Sequence, residues 1–119
     1  MSSNDTFIPL SIPNLSGKEL EYVTEAITDG WVSSIGPHVN AFEEKFAEYI
    51  GIKHAIACSN GTSALHISLI LCGVEVEDEV LVPNLTFVAP LNAVRYCGAY
   101  PVMLDSDWST FGIDVNKLR

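Results

Sequence analysis

Apolar residues recur at helical spacing in the first half of the chain. Leu20, Val23 and Ile27 lie three or four positions apart and Gly30 follows them, so the pattern predicts an amphipathic helix that ends near residue 30. The run Ser16-Gly17-Lys18-Glu19 has the form of a capping box, which places the N-cap at Ser16. A second apolar stripe predicts a second helix, and it consists of Val39, Phe42, Phe46 and Ile50, with Gly51 as the stop.

The second half alternates short apolar runs with helical stripes. The runs at residues 55–58, 79–82 and 101–104 are interpreted as buried strands. One helix lies between the first two strands, and a second, from about Phe87 to Cys97, lies between the last two. The first of these helices carries Leu65, Leu69 and Cys72 on one side and ends at Gly73. The second ends at Gly98. Alternating strands and helices predict βαβ units, and therefore an α/β fold with a parallel sheet.

The ends of the predicted strands are where a site is expected. Right-handed crossovers bring the carboxyl ends of parallel strands to one edge of the sheet, and ligands of open α/β sheets bind outside that edge. The three exits cover residues 59–63, 83–87 and 105–107. We therefore expect any site in this half of the chain at these exits.

The first exit is the most informative stretch of the sequence. Residues 59–64 are all small and stand between a predicted strand and a predicted helix. Free N–H groups at a helix N-terminus, with the positive end of its dipole, suit a phosphate. Gly61 would let the anion approach, and Thr62 and Ser63 would add hydroxyl donors. The alternative is that Ser59 or Asn60 simply caps the helix. Neither G-x-x-x-x-G-K-[ST] nor G-x-G-x-x-G occurs in the chain.

Four other side chains near the exits have two interpretations each. Phe87 could stack on a flat ligand ring or belong to the core. His66 faces roughly the same side of its helix as Thr62, and packing is the more usual role of a lone helical histidine. Asp105 and Asp107 end a strand and could serve a site or form a solvated acidic turn. The pattern alone leaves these alternatives open.

Composition and charge narrow the class of protein. The 119 residues are 48% hydrophobic, which allows a folded core and argues against a disordered chain. The net charge is −9 with only six Lys and Arg, so neither nucleic acid nor an anionic membrane is an expected partner. The apolar content is high for a domain that stands alone. Part of the apolar surface is therefore expected to contact further chain or a partner subunit.

The cysteines and the first residues of the chain bear on the cellular compartment of the protein. Cys58, Cys72 and Cys97 are odd in number and lack C-x-x-C spacing, so they are interpreted as buried free thiols in a reducing cytoplasm, with no metal site. Residues 1–5 are polar and acidic, unlike a signal peptide. No apolar run approaches the length of a membrane span. We expect a soluble, cytoplasmic protein.

Taken together, these pieces resemble the DegT/DnrJ/EryC1/StrS family of fold-type I sugar aminotransferases, which use pyridoxal phosphate (PLP). The resemblance depends on the order and spacing of several segments, of which no single one is specific. They are Gly30-Trp31-Val32-Ser33-Ser34-Ile35-Gly36-Pro37, Val39-Asn40-Ala41-Phe42-Glu43, Ser59-Asn60-Gly61-Thr62-Ser63-Ala64-Leu65-His66, Pro83-Asn84-Leu85-Thr86-Phe87 and Gly98-Ala99-Tyr100-Pro101-Val102.

The resemblance assigns roles to particular residues. It implies that Gly61, Thr62 and Ser63 hold the phosphate of PLP and that Phe87 stacks on its pyridine ring. It also implies that the loop from Ser33 to Gly36, with Trp31 just before it, lines a substrate site, which a homodimer would share between subunits. The substrate-binding residues of that loop would be Trp31, Ser33, Ser34 and Gly36. The resemblance gives Asp105 no chemistry.

The resemblance also implies a domain organisation. Residues 1–52 would form an N-terminal helical segment with the substrate loop, and residues 53–119 the first βαβαβ part of the PLP-binding large domain, with an incomplete sheet. The family's Schiff-base lysine comes later in the chain, and no catalytic residue is assigned here. No lysine of this chain matches the position of the Schiff-base lysine. The four lysines are Lys18, Lys45, Lys53 and Lys117. We therefore expect a truncated chain, without the C-terminal domain and inactive by itself.

The implied reaction moves an amino group, commonly from glutamate, onto a nucleotide-linked keto-sugar for amino-sugar and surface-polysaccharide synthesis. One alternative is a PLP-dependent sugar dehydratase of the same family, in which histidine replaces the lysine. A second is a non-catalytic truncated relic. A third is a small doubly wound nucleotide-binding module, against which the missing glycine fingerprint counts.

Overall fold

The computed structural model describes residues 7–118, and the chain divides into two compact units with the boundary in the sequence between Ala57 and Cys58. Each unit is described by itself. The first contains two helices, α1 (Glu19–Thr28) and α2 (Pro37–Ile50). The second contains α3 (Gly61–Leu71), β1 (Glu79–Pro83), α4 (Val88–Tyr96), β2 (Tyr100–Leu104) and a 3-10 turn (Val115–Lys117).

The start of α1 differs from the capping-box prediction. The N-cap is Lys18, which makes no side-chain cap bond. Ser16 instead donates its hydroxyl to Asn14 Oδ1 at 2.7 Å, and its backbone N–H donates to the same oxygen. The capping-box prediction was therefore wrong, because the Asn14 carboxamide engages Ser16 in a turn that ends before the helix begins.

The ends of α2 show how glycine and proline limit a helix. Pro37, predicted to lie in the loop, occupies the first turn of α2, where its fixed φ suits the helix and its missing N–H costs no hydrogen bond. Gly51 ends the helix with a left-handed φ of 75°, a conformation that glycine adopts without a Cβ clash. The predicted stop at Gly51 is confirmed.

The strand predicted at residues 55–58 is absent from the structure. Among residues 7–118 the sheet has two strands, β1 and β2, which pair with each other. The backbone N–H of Ala57 donates to Glu43 Oε1 at 2.7 Å. An apolar run becomes a strand only when another strand offers its backbone groups, and within the described residues none does so here.

The second unit is an α/β structure, as predicted. β1 and β2 are parallel, in register from Glu79 opposite Tyr100 to Pro83 opposite Leu104. The helix α4 connects them, and Gly98 after it has a φ of 76°. The core is small: Val82, Val94 and Ala99 are buried, and partly buried side chains pack around them from Leu69, Val74, Val80, Leu91 and Cys97.

Many large apolar side chains remain on the surface of each unit. Ile56 and Leu71 are 85% and 81% exposed. The three cysteines are free, but Cys58 and Cys72 are exposed and only Cys97 is partly buried. The prediction of buried thiols was therefore wrong for Cys58 and Cys72. The run around Cys58 pairs with no strand, and Cys72 lies at the exposed C-cap of α3. Among the helices of residues 7–118, none combines the length with the apolar character that a membrane span requires.

Candidate functional site

The turn before α3 is organised by Asn60. Its backbone is extended, with φ −165° and ψ 167°, and its side-chain Oδ1 accepts the backbone N–H of Ser63 at 2.9 Å. The amide nitrogen of the same side chain donates to Ser59 Oγ at 3.2 Å. Of the two caps that the sequence left open, Asn60 is the one that forms.

Two backbone donors at this helix end remain available. The N–H of Ser63 is taken by Asn60, and that of Ala64 donates to the Asn60 carbonyl at 3.2 Å. Within residues 7–118, the N–H groups of Gly61 and Thr62 have no acceptor. The first N–H groups of a helix lack partners in the helix and carry the positive end of its dipole. With the hydroxyls of Thr62 and Ser63, they form a set of donors suited to an anion.

Gly61 is a glycine that the backbone does not require. Five other glycines have a positive φ, and they are Gly30, Gly36, Gly51, Gly73 and Gly98. Gly61 has none, and a Cβ placed on it would meet no atom within 4 Å. Neither backbone strain nor crowding explains a glycine here. The absence of a Cβ leaves the space beside the Gly61 N–H open.

A pocket of about 390 Å³ opens beside the turn. Thr62 and Ser63 line it together with Asn60, His66 and Tyr96. The rings of His66 and Tyr96 pack edge to face, with centroids 5.6 Å apart and planes at 64°, so His66 has the packing role that was the more usual expectation. Tyr96 was missed, because nothing in the sequence ties the end of α4 to the start of α3. No Lys or Arg lines this pocket, so the donors to an anion would be neutral groups.

Phe87 stands at the N-cap position of α4, directly after the β1 exit. Its side chain is 78% exposed, so within its unit it is not a core residue. It is not among the residues that line the pocket beside Thr62. Phe87 therefore exposes its ring near the β1 exit, outside the set of residues that lines the pocket beside Thr62.

The predicted substrate loop lies in the first unit. Its backbone is anchored by the Trp31 N–H, which donates to the Ala26 carbonyl at 2.8 Å. Gly36 has a φ of 156°, and a Cβ on it would lie 3.4 Å from the Cβ of Trp31. Trp31 and Gly36 are therefore neighbours, while Ser33 and Ser34 are exposed between them.

The acidic residues after β2 are used by their own loop. Lys117 Nζ donates to Asp105 Oδ2 at 2.7 Å. That hydrogen bond lowers the pKa of Asp105 and raises the pKa of Lys117. Asp107 accepts from the Ser109 N–H at 3.0 Å and the Thr110 N–H at 2.9 Å, and from both hydroxyls. The loop has the geometry of the acidic-turn alternative.

The Asp107 turn is expected to open in acid. Hydrogen bonds from the Ser109 hydroxyl, then from the backbone N–H groups of Thr110 and Ser109, lower the pKa of Asp107 from 3.8 to about 2. A depressed carboxyl pKa adds stability above the unfolded value of 3.8, and this is lost as the pH falls toward 2. NMR titration of the carboxyl carbons should show this value, and a Ser109→Ala variant should raise it. An Asp107 pKa near 3.8 in the unaltered protein would contradict the geometry of the turn.

Comparison with known proteins identifies the class. The family model for the DegT/DnrJ/EryC1/StrS aminotransferase family matches residues 13–119. The chain therefore belongs to this family, and the resemblance in the sequence is confirmed.

Individual relatives narrow the comparison. The chain is 50% identical over 112 residues to GDP-perosamine synthase of Caulobacter vibrioides, covering 94% of this chain and 30% of that protein. It is similar to Spr1654 of Streptococcus pneumoniae, solved in a PLP-form, with a TM-score of 0.80, 31% identity and coverage of 90% and 27%. It also matches NtdA of Bacillus subtilis with bound cofactor PMP, with a TM-score of 0.75, 35% identity and coverage of 83% and 22%. The chain thus spans about a third or less of each relative.

Proposed function

We propose that the protein carrying this chain is a sugar aminotransferase, and that Gly61, Thr62 and Ser63 hold the phosphate of its cofactor. Pyridoxal phosphate is the cofactor that the family and its solved relatives indicate. In the proposed reaction, an amino group passes from a donor such as glutamate to a nucleotide-linked keto-sugar. The name of the relative from Caulobacter vibrioides supports a GDP-linked sugar as the first substrate to test.

The observation that carries this proposal is the pair of unused donors beside Gly61. The N–H groups of Gly61 and Thr62 lack acceptors within residues 7–118, and the space above Gly61 is open. A phosphate monoester carries nearly two negative charges at neutral pH and three strong acceptor oxygens. The start of α3 offers several hydrogen-bond donors and the positive end of the helix dipole, which suit the acceptor oxygens and the negative charge of a phosphate.

The residues have distinct roles in the proposed site. Thr62 and Ser63 would donate hydroxyl hydrogen bonds to the phosphate, and Phe87 would orient the cofactor ring by stacking on it. When bound, PLP supplies the electron sink for transamination. The loop containing Trp31, Ser33, Ser34 and Gly36 would contact the sugar substrate, and a homodimer would share that loop between subunits.

The proposal is tested on the complete protein that carries this chain. We expect PLP to bind and to support the glutamate-dependent amination of a GDP-linked 4-keto hexose. Pyridoxal, which lacks the phosphate, is the control ligand. It should bind more weakly than PLP because it offers no phosphate oxygens to the donors beside Gly61. Equal affinity for the two compounds would contradict the phosphate site, and loss of water from the sugar in place of amination would indicate the dehydratase.

The 119-residue chain by itself provides a second test. None of its four lysines matches the Schiff-base position of the family, so we propose that this chain alone does not catalyse transamination. Turnover of glutamate with a keto-sugar by the purified chain would contradict this. The cytoplasmic location and the place in surface-polysaccharide synthesis stay predictions from the sequence.

A further inference from the structure

Asn60 faces the same pocket as Thr62 and Ser63 while it caps α3. Both ends of its carboxamide are held, the oxygen by the Ser63 N–H and the nitrogen by Ser59 Oγ. The side chain is therefore fixed in orientation. It also takes the Ser63 N–H out of the set of donors, which leaves the backbone N–H groups of Gly61 and Thr62 for a ligand.

The choice of asparagine is not explained by helix capping. Aspartate and asparagine are about equally good N-caps, and the helix dipole favours a negative charge at that end. The chain has 15 Asp and Glu and a net charge of −9, yet residues 55–74 contain no Asp, Glu, Lys or Arg. Stability alone would accept aspartate at residue 60. A phosphate beside it would not, because no cation lines this pocket to offset the added charge.

We propose that Asn60 is a positioning residue whose neutrality keeps the turn open to a dianionic phosphate. It satisfies the Ser63 N–H as aspartate would, but it adds no charge to the wall of the pocket. This inference rests on the proposed function, since it takes the phosphate of PLP as the anion. A carboxylate in the same pocket would repel that phosphate, because two like charges a few ångströms apart raise the free energy of the bound state.

The test compares Asn60→Asp with Asn60→Ser in the complete protein, and it measures PLP affinity by absorbance titration and stability by thermal unfolding. Both variants keep a side-chain oxygen that can cap α3, so their melting temperatures should stay close to that of the unaltered protein. Asn60→Asp should weaken PLP binding by about ten- to hundredfold, and Asn60→Ser should change it little. The deficit of Asn60→Asp should shrink as salt is added, because ions screen the repulsion.

The outcomes separate this proposal from a merely structural role. If Asn60 only caps the helix, both variants should have the same PLP affinity, and salt should not change the comparison between them. That result would overturn the proposal. An Asn60→Asp variant that fails to fold would overturn it too, because the proposal requires aspartate to cap α3. If the unaltered protein does not bind PLP at all, the proposed function fails first. Binding by the unaltered protein and by Asn60→Asp with equal affinity rejects the role of Asn60 alone.

Discussion

A Gly61→Ala variant is expected to lose affinity for PLP while it keeps its stability. Gly61 is the first residue of α3 and has no positive φ, so alanine can adopt its backbone conformation. Inside a helix, alanine is more favourable than glycine by up to about 1 kcal/mol. The added Cβ meets no protein atom within 4 Å. The fold therefore has room for it, and the space that it takes is the space through which a phosphate would approach the N–H groups.

The expected size of the effect follows from the bonds at risk. A hydrogen bond to a charged group contributes about 1.5–3 kcal/mol, so the loss of one such bond should weaken PLP binding by about ten- to hundredfold. Absorbance titration of the complete protein measures this, and thermal unfolding of the same samples should show an unchanged or slightly raised melting temperature.

Gly73→Ala is the matched control at the other end of the same helix. Gly73 has a φ of 83°, and the left-handed conformation costs alanine about 1–2 kcal/mol. This variant should therefore be less stable and bind PLP with unchanged affinity, the reverse of Gly61→Ala. If Gly61→Ala bound PLP as tightly as the unaltered protein, the phosphate could not lie against the Gly61 N–H.

The elements that could be predicted from the sequence are those with local signals. All four α-helices found within residues 7–118 were predicted. The glycine stops after them all have a positive φ, and they are Gly30, Gly51, Gly73 and Gly98. Such a stop depends on the backbone freedom of a single glycine. Its position can therefore be read directly from the sequence. The parallel pairing of β1 with β2 through α4 also agrees with the predicted βαβ pattern.

The predictions that failed depended on neighbours. Residues 55–58 are apolar enough for a strand, but a strand also needs a partner, and within the described residues it has none. Ser16 has the right spacing for a cap, but Asn14 engages its hydroxyl first. The exposure of Cys58 has the same origin as the missing strand. Local patterns give the tendency of a segment, and tertiary contacts decide whether it is realised.

In the candidate site, too, local signals could be predicted from the sequence and tertiary contacts could not. The turn before α3 could be proposed as a phosphate site because small residues, a glycine and hydroxyls stand together at a helix start. The choice between Ser59 and Asn60 as the cap could not be made, since both are good N-cap residues and only the geometry separates them. Tyr96 joins the pocket through the packing of α4 on α3, a contact between residues far apart in the chain. Packing of this kind leaves no periodic signal in the sequence.

Phe87 is a candidate site residue whose exposure bears on its two interpretations. The sequence allowed a core residue or a stacking residue, and a side chain that is 78% exposed contributes little to the core of its unit. A large apolar ring in water stabilises nothing by itself, but it would be covered by a flat ring bound over the strand exit. Fully burying a phenylalanine side chain is worth about 1.5–3 kcal/mol, and aromatic pairing about 0.5–1.5 kcal/mol more. Most of that free energy would appear only when the cofactor binds.

A Phe87→Ala variant of the complete protein is therefore expected to bind PLP about ten- to hundredfold more weakly, with little change in its melting temperature. Phe87→Tyr keeps the ring and should keep the affinity. Phe87→Leu keeps an apolar side chain without a ring face, and it should lose about two- to tenfold through the missing aromatic term. PLP titrations of the three variants measure the order Tyr, Leu, Ala. If Phe87→Ala instead lowered the melting temperature by many degrees and left PLP affinity unchanged, Phe87 would be a core residue of the complete protein, and stacking on the cofactor would be rejected.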